Sequence, residues 1–343
     1  MKKFLRYLFC FSLAFVLLIS GCSKDTPVLD NTPTPEPEPE PDPIQLEIDG
    51  FFEKYINTDE RPIAIMVDND DKNARPHAGL NEAYLIYEMV VEGGATRFLG
   101  VFKGTDTEKI GPVRSSRHYF LDFVMENDAV YTHFGWSPQA IKDISAFGIN
   151  KINGILGEDG HIFWREQKFK GDWHSAYTSI AKIKEHAQKK GYSLSTDKKN
   201  GIKYSDKYFG LEGETFANTV NLPYSGLYKT GYTYNAETGL YDKFINGAPH
   251  VMQNGEVLSV KNVIVELIYD SSLGDGTDRR NINTTGSGEG YYITNGKYEK
   301  ITWHKSGRKA PTTYKKADGS ELILNPGKTI VNLISPSAGV TIE

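Results

Sequence analysis

The sequence predicts an α+β fold: a mixed α/β N-terminal domain over residues 50–205, then a mainly antiparallel β C-terminal domain over residues 218–343. Three observations carry this. The first half alternates short apolar runs with stretches of helical periodicity. The second half has Asn-Gly or Asp-Gly pairs at 246–247, 254–255, 295–296 and 318–319, which are hairpin signals between strand-like runs. About 295 residues follow the N-terminal leader and its Pro/Glu-rich stalk, enough for two domains of ~150 residues.

The leader opens MKKFLRYLFCFSLAFVLLISGC. Lys2, Lys3 and Arg6 precede an apolar run at residues 8–19 broken only by Ser12. That run is short of the ~20 residues a spanning helix needs. Residues 1–22 therefore read as an export signal. The ending Ile19-Ser20-Gly21-Cys22 is similar to the bacterial lipobox, whose cysteine is diacylated and becomes the first mature residue. Cys22 is thus the expected lipidation site, and the expected location is extracytoplasmic, lipid-anchored to the cell membrane. Cys10 and Cys22 are the only cysteines, so the folded part holds no disulfide, thiol nucleophile or Cys metal site. Two acyl chains anchor stably, at about 0.8 kcal/mol per buried methylene.

Residues 23–48 alternate Pro with Glu and Asp. Proline lacks the N–H and like charges repel, so an extended polyproline-II stalk is expected, roughly 70 Å long over residues 23–44. Loss of residues 1–22 removes three basic side chains and leaves 36 Lys+Arg against 44 Asp+Glu. That acidic balance argues against nucleic acid as a partner.

Within the first half, PIAIMVDN and AYLIYEMVV read as buried strands. TRFLGVFK pairs with the second through a reversal at Gly93-Gly94. SSRHYFLDFVMEN has apolar residues at helical spacing, with Ser115 or Ser116 as its expected cap. AVYTHFGW is a strand leading to the helix SPQAIKDISAFG, where Ser137 caps and Pro138 takes the first position. TSIAKIKEHAQKKG is a helix that ends at Gly191. In the second half VKNVIVELIYD, GYYIT, YEKITWHK and TIVNLIS read as strands.

RPIAIMVDN, ARPHAGLNEAYLIYEMVVEGGATRFLGVF, GPVRSSRHYF, THFG and IFWR together resemble the N-terminal domain of the YerB-like bacterial lipoproteins, a family of DUF3048 type. NVIVELIYD, GSGEGYYITNGKYEKITWHK and ILNPGKTIVNLI resemble that family's C-terminal domain. The chain departs from the pattern at His77, where the family often has Gln, and at Asp172-Trp173-His174-Ser175, in place of a Pro-His-Asn segment. The resemblance implies a cell-envelope lipoprotein and supplies no reaction.

Arginines and carboxylates are the candidate site residues. In GPVRSSR a helix start at Ser115-Ser116 would add unpaired N–H groups to Arg114 and Arg117, making an anion site that Arg97 could join. The alternative is that each arginine pairs with a neighbouring carboxylate such as Asp122 or Glu126. Asp68 ends one strand, and Glu88 and Glu92 lie on or after the next. Such pairs serve glycoside cleavage, with Glu92 as general acid if apolar neighbours raise its pKa. Glu88 and Glu92 are equally partners for Arg97 and Arg114. His133 is a candidate base or a structural histidine. His161, Phe163, Trp164 and Arg165, with Trp173 and His174, could stack on a sugar ring or pack in a core.

DNDDKNARPHAG lacks the glycine and glutamate of a calcium loop, and GSGEG lacks a phosphate-loop context. Neither a zinc HExxH nor a GxSxG elbow is present. No metal and no cofactor is expected. The sequence thus points to an envelope lipoprotein that binds anionic cell-wall polymer or peptide, either peptidoglycan or its precursors, with Arg97, Arg114 and Arg117 holding the anion. A glycan-cleaving enzyme using Glu92, and a scaffold docking an envelope protein, are the alternatives. Enzymatic activity stays open at this level.

Overall fold

The structure, a computed structural model, describes residues 42–70, 72–213 and 215–343. The export signal, Cys22 and residues 23–41 of the expected stalk lie outside the described residues. From Pro41 onward the chain forms one compact unit. It opens with α1 (Pro43–Phe51), where Asp42 accepts from the Ile44 N–H at 2.9 Å and Pro43 takes the first helical position. Residues 43–48, read above as extended stalk, are thus helical. The proline repeat stops at Pro43, and Ile48, Phe51 and Tyr55 follow at spacings of three and four that give the helix and its continuation an inward face.

Strands β1 (Ile63–Asn69), β2 (Leu85–Val90), β3 (Thr96–Phe102), β4 (Val130–His133) and β5 (Lys151–Asn153) come from the first half. The second half supplies β6 (Thr219–Pro223), β7 (Lys229–Asn235), β8 (Leu240–Ile245), β9 (Asn262–Leu267), β10 (Gly286–Thr294), β11 (Lys297–Lys305), β12 (Thr313–Lys316) and β13 (Thr329–Ile334). The central ten-stranded sheet runs β12-β11-β10-β9-β13-β2-β3-β1-β4-β5. It therefore crosses from one half of the chain to the other: β13 pairs in parallel with β2, Thr329 opposite Leu85 and Val331 opposite Tyr87. β5, β4, β1, β2, β13 and β9 all run one way, with β3 antiparallel between β1 and β2.

The rest of the second half is antiparallel, as expected. β10, β11 and β12 form a meander, and β6, β7 and β8 form a second sheet. Asn295-Gly296 turns β10 into β11, and Asn246-Gly247 follows β8. Asn246 and Asn295 sit at φ +51° and +50°, the left-handed region a tight hairpin demands.

Each face of the central sheet is covered. One face packs Ala64, Met66, Tyr87, Leu99 and Val331 against Phe120, Phe123 and Ile144 of α2 (Leu121–Glu126), its preceding turn and α3 (Pro138–Phe147). The other packs Ile65, Val67, Ile86, Phe98 and Ile330 against Ile180 and Ile183 of α4 (Ile180–Lys189), and against Leu222, Tyr232 and Tyr241 of the second sheet. Ser137 and Ser179 cap α3 and α4, and Gly148 ends α3 at φ +66°.

A buried ion pair joins the two halves on each face. Lys243 Nζ donates to Glu88 Oε2 at 2.7 Å, while Glu88 Oε1 accepts from the Thr96 and Thr230 hydroxyls at 2.8 and 2.9 Å. Both Lys243 and Glu88 are 0 % exposed. On the opposite face Lys305 Nζ donates to Glu126 Oε2 at 2.6 Å, and the Tyr87 hydroxyl donates to Glu126 Oε1 at 2.7 Å. Removing one partner strands the other charge in the interior. Lys243→Met is expected to cost about 3–5 kcal/mol in urea unfolding, and adding Glu88→Leu to recover at least half of it. A double variant no more stable than the single one would count against this account.

Candidate functional site

The chain leaves β1 for β2 and β3 on one side and then returns to β4 and β5 on the other. In sheets of this kind, the crevice outside the strand carboxyl ends at such a reversal is where ligands bind. Asp68 lies near the end of β1, Glu92 just beyond β2 and His133 at the end of β4, while Arg97 lies near the start of antiparallel β3. Asp68 and Arg97 are direct cross-strand partners.

The GPVRSSR stretch is extended, not a helix start. The Val113, Arg114 and Ser116 N–H groups donate to the carbonyls of Ala176, Met66 and Gly135, which spends them in sheet-like bonds. The following turn, His118–Phe120, has no side-chain cap. Ser115 Oγ donates to the Phe134 carbonyl at 3.0 Å instead of capping. What the segment provides is position: it carries Arg114 and Arg117 across the carboxyl edge of the sheet.

The charges there form one chain. Arg114 Nε lies 3.0 Å from Asp68 Oδ2, as a close ion pair without an aligned hydrogen bond, and its terminal nitrogen is 3.8 Å from Asp70. Arg97 donates to the Ser115 carbonyl at 2.6 Å and lies 3.9 Å from Glu92. Arg117 grips Glu92 with two bonds, at 2.5 and 2.8 Å. Burial alone would raise the Asp68 pKa. The His174 hydrogen bond and the charges of Arg114 and Arg97 outweigh it, so the carboxyl is held below its usual range. Burial and the neighbouring Arg117 lower Arg97 to about 10.

Glu92 departs from the expected acid. Its partial burial favours a raised pKa, but the Arg117 hydrogen bonds and charge override this and lower it. Glu88 does not join Arg97 or Arg114; it points to the other face, toward Lys243. Asp122 and Glu126 pair with Arg308 and Lys305, not with these arginines. His133 is fully buried between Tyr131 and Trp136, its Nδ1 donating to the Gly135 carbonyl at 2.7 Å and its Nε2 without a partner. Burial lowers it to about 4, so it is neutral. Arg165 joins the cluster: it lies over the Phe134 ring, bonds Ser175 Oγ at 3.1 Å, and feels Arg114 strongly enough to have its pKa lowered, after burial itself. Trp164 turns away and stacks on Tyr177.

Sequence reasoning offered Trp173 and His174 only as stacking or packing aromatics and did not place them with Asp68 and Arg114. His174 Nδ1 meets Asp68 Oδ2 at 2.6 Å, and Trp173, 67 % exposed, lies beside the Arg114 guanidinium. Both come from a loop more than 100 residues beyond Asp68, and their aromatic type was the sole signal. Asp68, Asp70 and His174 place donor atoms within 4.8 Å of one another, close enough for a metal ion. Arg114 already supplies positive charge to both carboxylates, and His174 is committed to Asp68, so the set fits a guanidinium better than a metal ion.

Behind Asp68, His77 Nε2 meets the Asp68 carbonyl at 2.5 Å and His77 Nδ1 meets His250 Nε2 at 2.7 Å. The carbonyl requires a proton on His77 Nε2, so His77 Nδ1 accepts and His250 Nε2 donates. Both rings are neutral in this arrangement.

The chain also matches known proteins along most of its length. Residues 52–193 match the family described as "Protein of unknown function (DUF3048) N-terminal domain", and residues 220–331 match its C-terminal domain. "Putative lipoprotein YerB" of Bacillus subtilis (strain 168) is 32 % identical over 287 residues, 81 % of this chain and 82 % of that protein. The crystal structure of the YerB protein from Bacillus subtilis superposes with a TM-score of 0.73 at 28 % identity, covering 83 % of this chain and 94 % of that one. The chain belongs to the DUF3048, YerB-like family.

The histidines give this protein a pH signature. Burial lowers His77 to about 4, and His250 well below its ordinary value. Between about pH 6.5 and 4 the unfolded chain takes up protons that folded His77 and His133 refuse, so stability falls as pH falls through that window. The loss is on the order of 2–3 kcal/mol per histidine. Urea midpoints at pH 7.5 and 4.5 check this: the midpoint should drop, and drop less in His250→Gln. An unchanged midpoint would refute it.

Proposed function

We propose that this protein is a membrane-anchored lipoprotein on the outer side of the cell membrane, and that it binds an acidic group of cell-wall material, peptidoglycan or its precursors, at the carboxyl edge of β1 to β4. The anchor would be lipid on Cys22, in keeping with the relative named a lipoprotein; no helix among the described residues is long and apolar enough to cross a membrane. One observation carries the ligand class: Arg97, Arg114, Arg117 and Arg165 crowd one strand edge, with Arg114 and Arg165 within electrostatic reach of each other and Trp173 open beside them. Guanidinium groups gathered this closely favour a carboxylate or phosphate among them. Asp68, Asp70 and Glu92 offset much of the charge, so recognition rests on directed bonds more than on net potential.

Glycan cleavage is the weaker reading. Its general acid must hold a proton near neutral pH, and Glu92 is kept ionised by Arg117. Co-sedimentation of the mature protein with purified sacculi tests the proposal. Arg114→Ala with Arg165→Ala should weaken binding about tenfold, ~1.4 kcal/mol, without loss of fold by circular dichroism. Undiminished binding by that folded variant would end it. Soluble fragments released by the wild type and absent with Glu92→Gln would instead establish the enzyme.

A further inference from the structure

The opposite edge of the sheet holds a cavity of about 860 Å³, lined by residues 52–59, by Pro62, Tyr84 and Lys103 at the far ends of β1, β2 and β3, and by residues 196–204. Its apolar part is built from Phe52, Ile56 and Ile202 around Tyr55 and Tyr84, whose rings stack 5.3 Å apart at 16°. Its charged part is unusual. Lys103, only 6 % exposed, donates from Nζ to the Thr58 carbonyl at 3.0 Å. Lys199 Nζ reaches the same oxygen at 3.4 Å and the Ile56 carbonyl at 3.0 Å.

Two ammonium groups thus converge on one neutral oxygen. Neither has a carboxylate within ion-pair distance among the described residues. Lys198 also lines the cavity, while Lys203 is engaged with Glu321 at 2.8 Å. Asp59 and Asp197 also line the cavity, and Glu60 is occupied by Lys184 and the Gly104 N–H. Burial, then the charge of Lys199, lowers the Lys103 pKa against the smaller opposing pull of Glu60 and Asp59. Cavities of this size, apolar with a few convergent charges, are typical of small-molecule sites.

We propose that this cavity binds an amphiphilic anion, its phosphate or carboxylate held between Lys103 and Lys199 and its apolar body lying on the Tyr55–Tyr84 floor. The site is separate from the arginine edge and stands without it. Residues 52–57 continue directly from α1, the end of the folded unit nearest in sequence to Cys22. The membrane surface is therefore one source of such a ligand, and a free organic phosphate is the other.

The chain from Pro41 onward, which contains both hydrophobic cores, is the material for the test. Bound 1-anilinonaphthalene-8-sulfonate is displaced by octyl phosphate, and fluorescence gives the Kd. Displacement should be saturable, with inorganic phosphate at least tenfold weaker. Lys199→Met should raise the octyl phosphate Kd about tenfold. Lys207→Met, the same charge change at an exposed lysine outside the cavity, should leave it unchanged. Lys103→Met should act like Lys199→Met; should it fail to fold, the exposed Lys199 carries the test alone. Displacement by phosphatidylglycerol vesicles would support a lipid headgroup as the source, and displacement by octyl phosphate alone would support a free ligand. Equal effects of the Lys199 and Lys207 variants, or inorganic phosphate binding as tightly as octyl phosphate, would overturn the proposal.

Discussion

Lys243 and Lys305 each bring an ammonium group into the interior, and neither would stay charged there without the glutamate it meets. A buried charge is tolerated only when paired and hydrogen-bonded. Each pair spans the two halves of the chain, one on each face of the sheet. β13, a second-half strand, pairs with β2, which carries Glu88. A one-residue slip of β2 would turn Glu88 away from Lys243 and into the apolar core of the other face. The two family domains therefore share one sheet, and residues 42–343 belong to one body.

That fixed register sets up the site. With β2 held by β13, and β1 and β4 running the same way, the carboxyl ends of these strands fall on one edge. Asp68, Glu92 and Arg97 arrive there from separate segments and neutralise one another in sequence. The result is a rigid array of donors and acceptors in place of an open positive basin. Under the proposed function such an array would discriminate by geometry, since a ligand would have to match guanidinium directions while displacing little existing charge. The Arg117–Glu92 fork also explains why a glutamate that looks like an acid by its neighbours behaves as a structural anion.

The two edges of the sheet differ in how their cations are treated. At the carboxyl edge each arginine has a carboxylate or carbonyl to meet. At the other edge Lys103 and Lys199 meet neutral carbonyls, both at Thr58 and Lys199 also at Ile56. Ammonium groups are compact and strongly hydrated, and buried Lys103 has only that one neutral oxygen as a hydrogen-bond partner among the described residues.

The sequence by itself determined the elements. Runs of apolar residues placed β1 to β4, Ser137 and Pro138 placed α3, the stretch ending at Gly191 placed α4, and asparagine-glycine pairs placed the hairpins, because those signals act over a few neighbours. It also singled out Asp68, Glu92, Arg97, Arg114 and Arg117, which do lie together. The tertiary structure alone decided their partners. Glu88 faces Lys243 because strand side chains alternate, and His174 reaches Asp68 because a distant loop folds back. The helix start expected at Ser115-Ser116 gave way because the N–H groups of Val113, Arg114 and Ser116 found the carbonyls of Ala176, Met66 and Gly135. Local chemistry can be read from spacing along the chain, but the sign and exposure of a charged site depend on partners that lie as near as Glu92 to Arg117 or as far as Asp68 to His174, and only packing chooses among them.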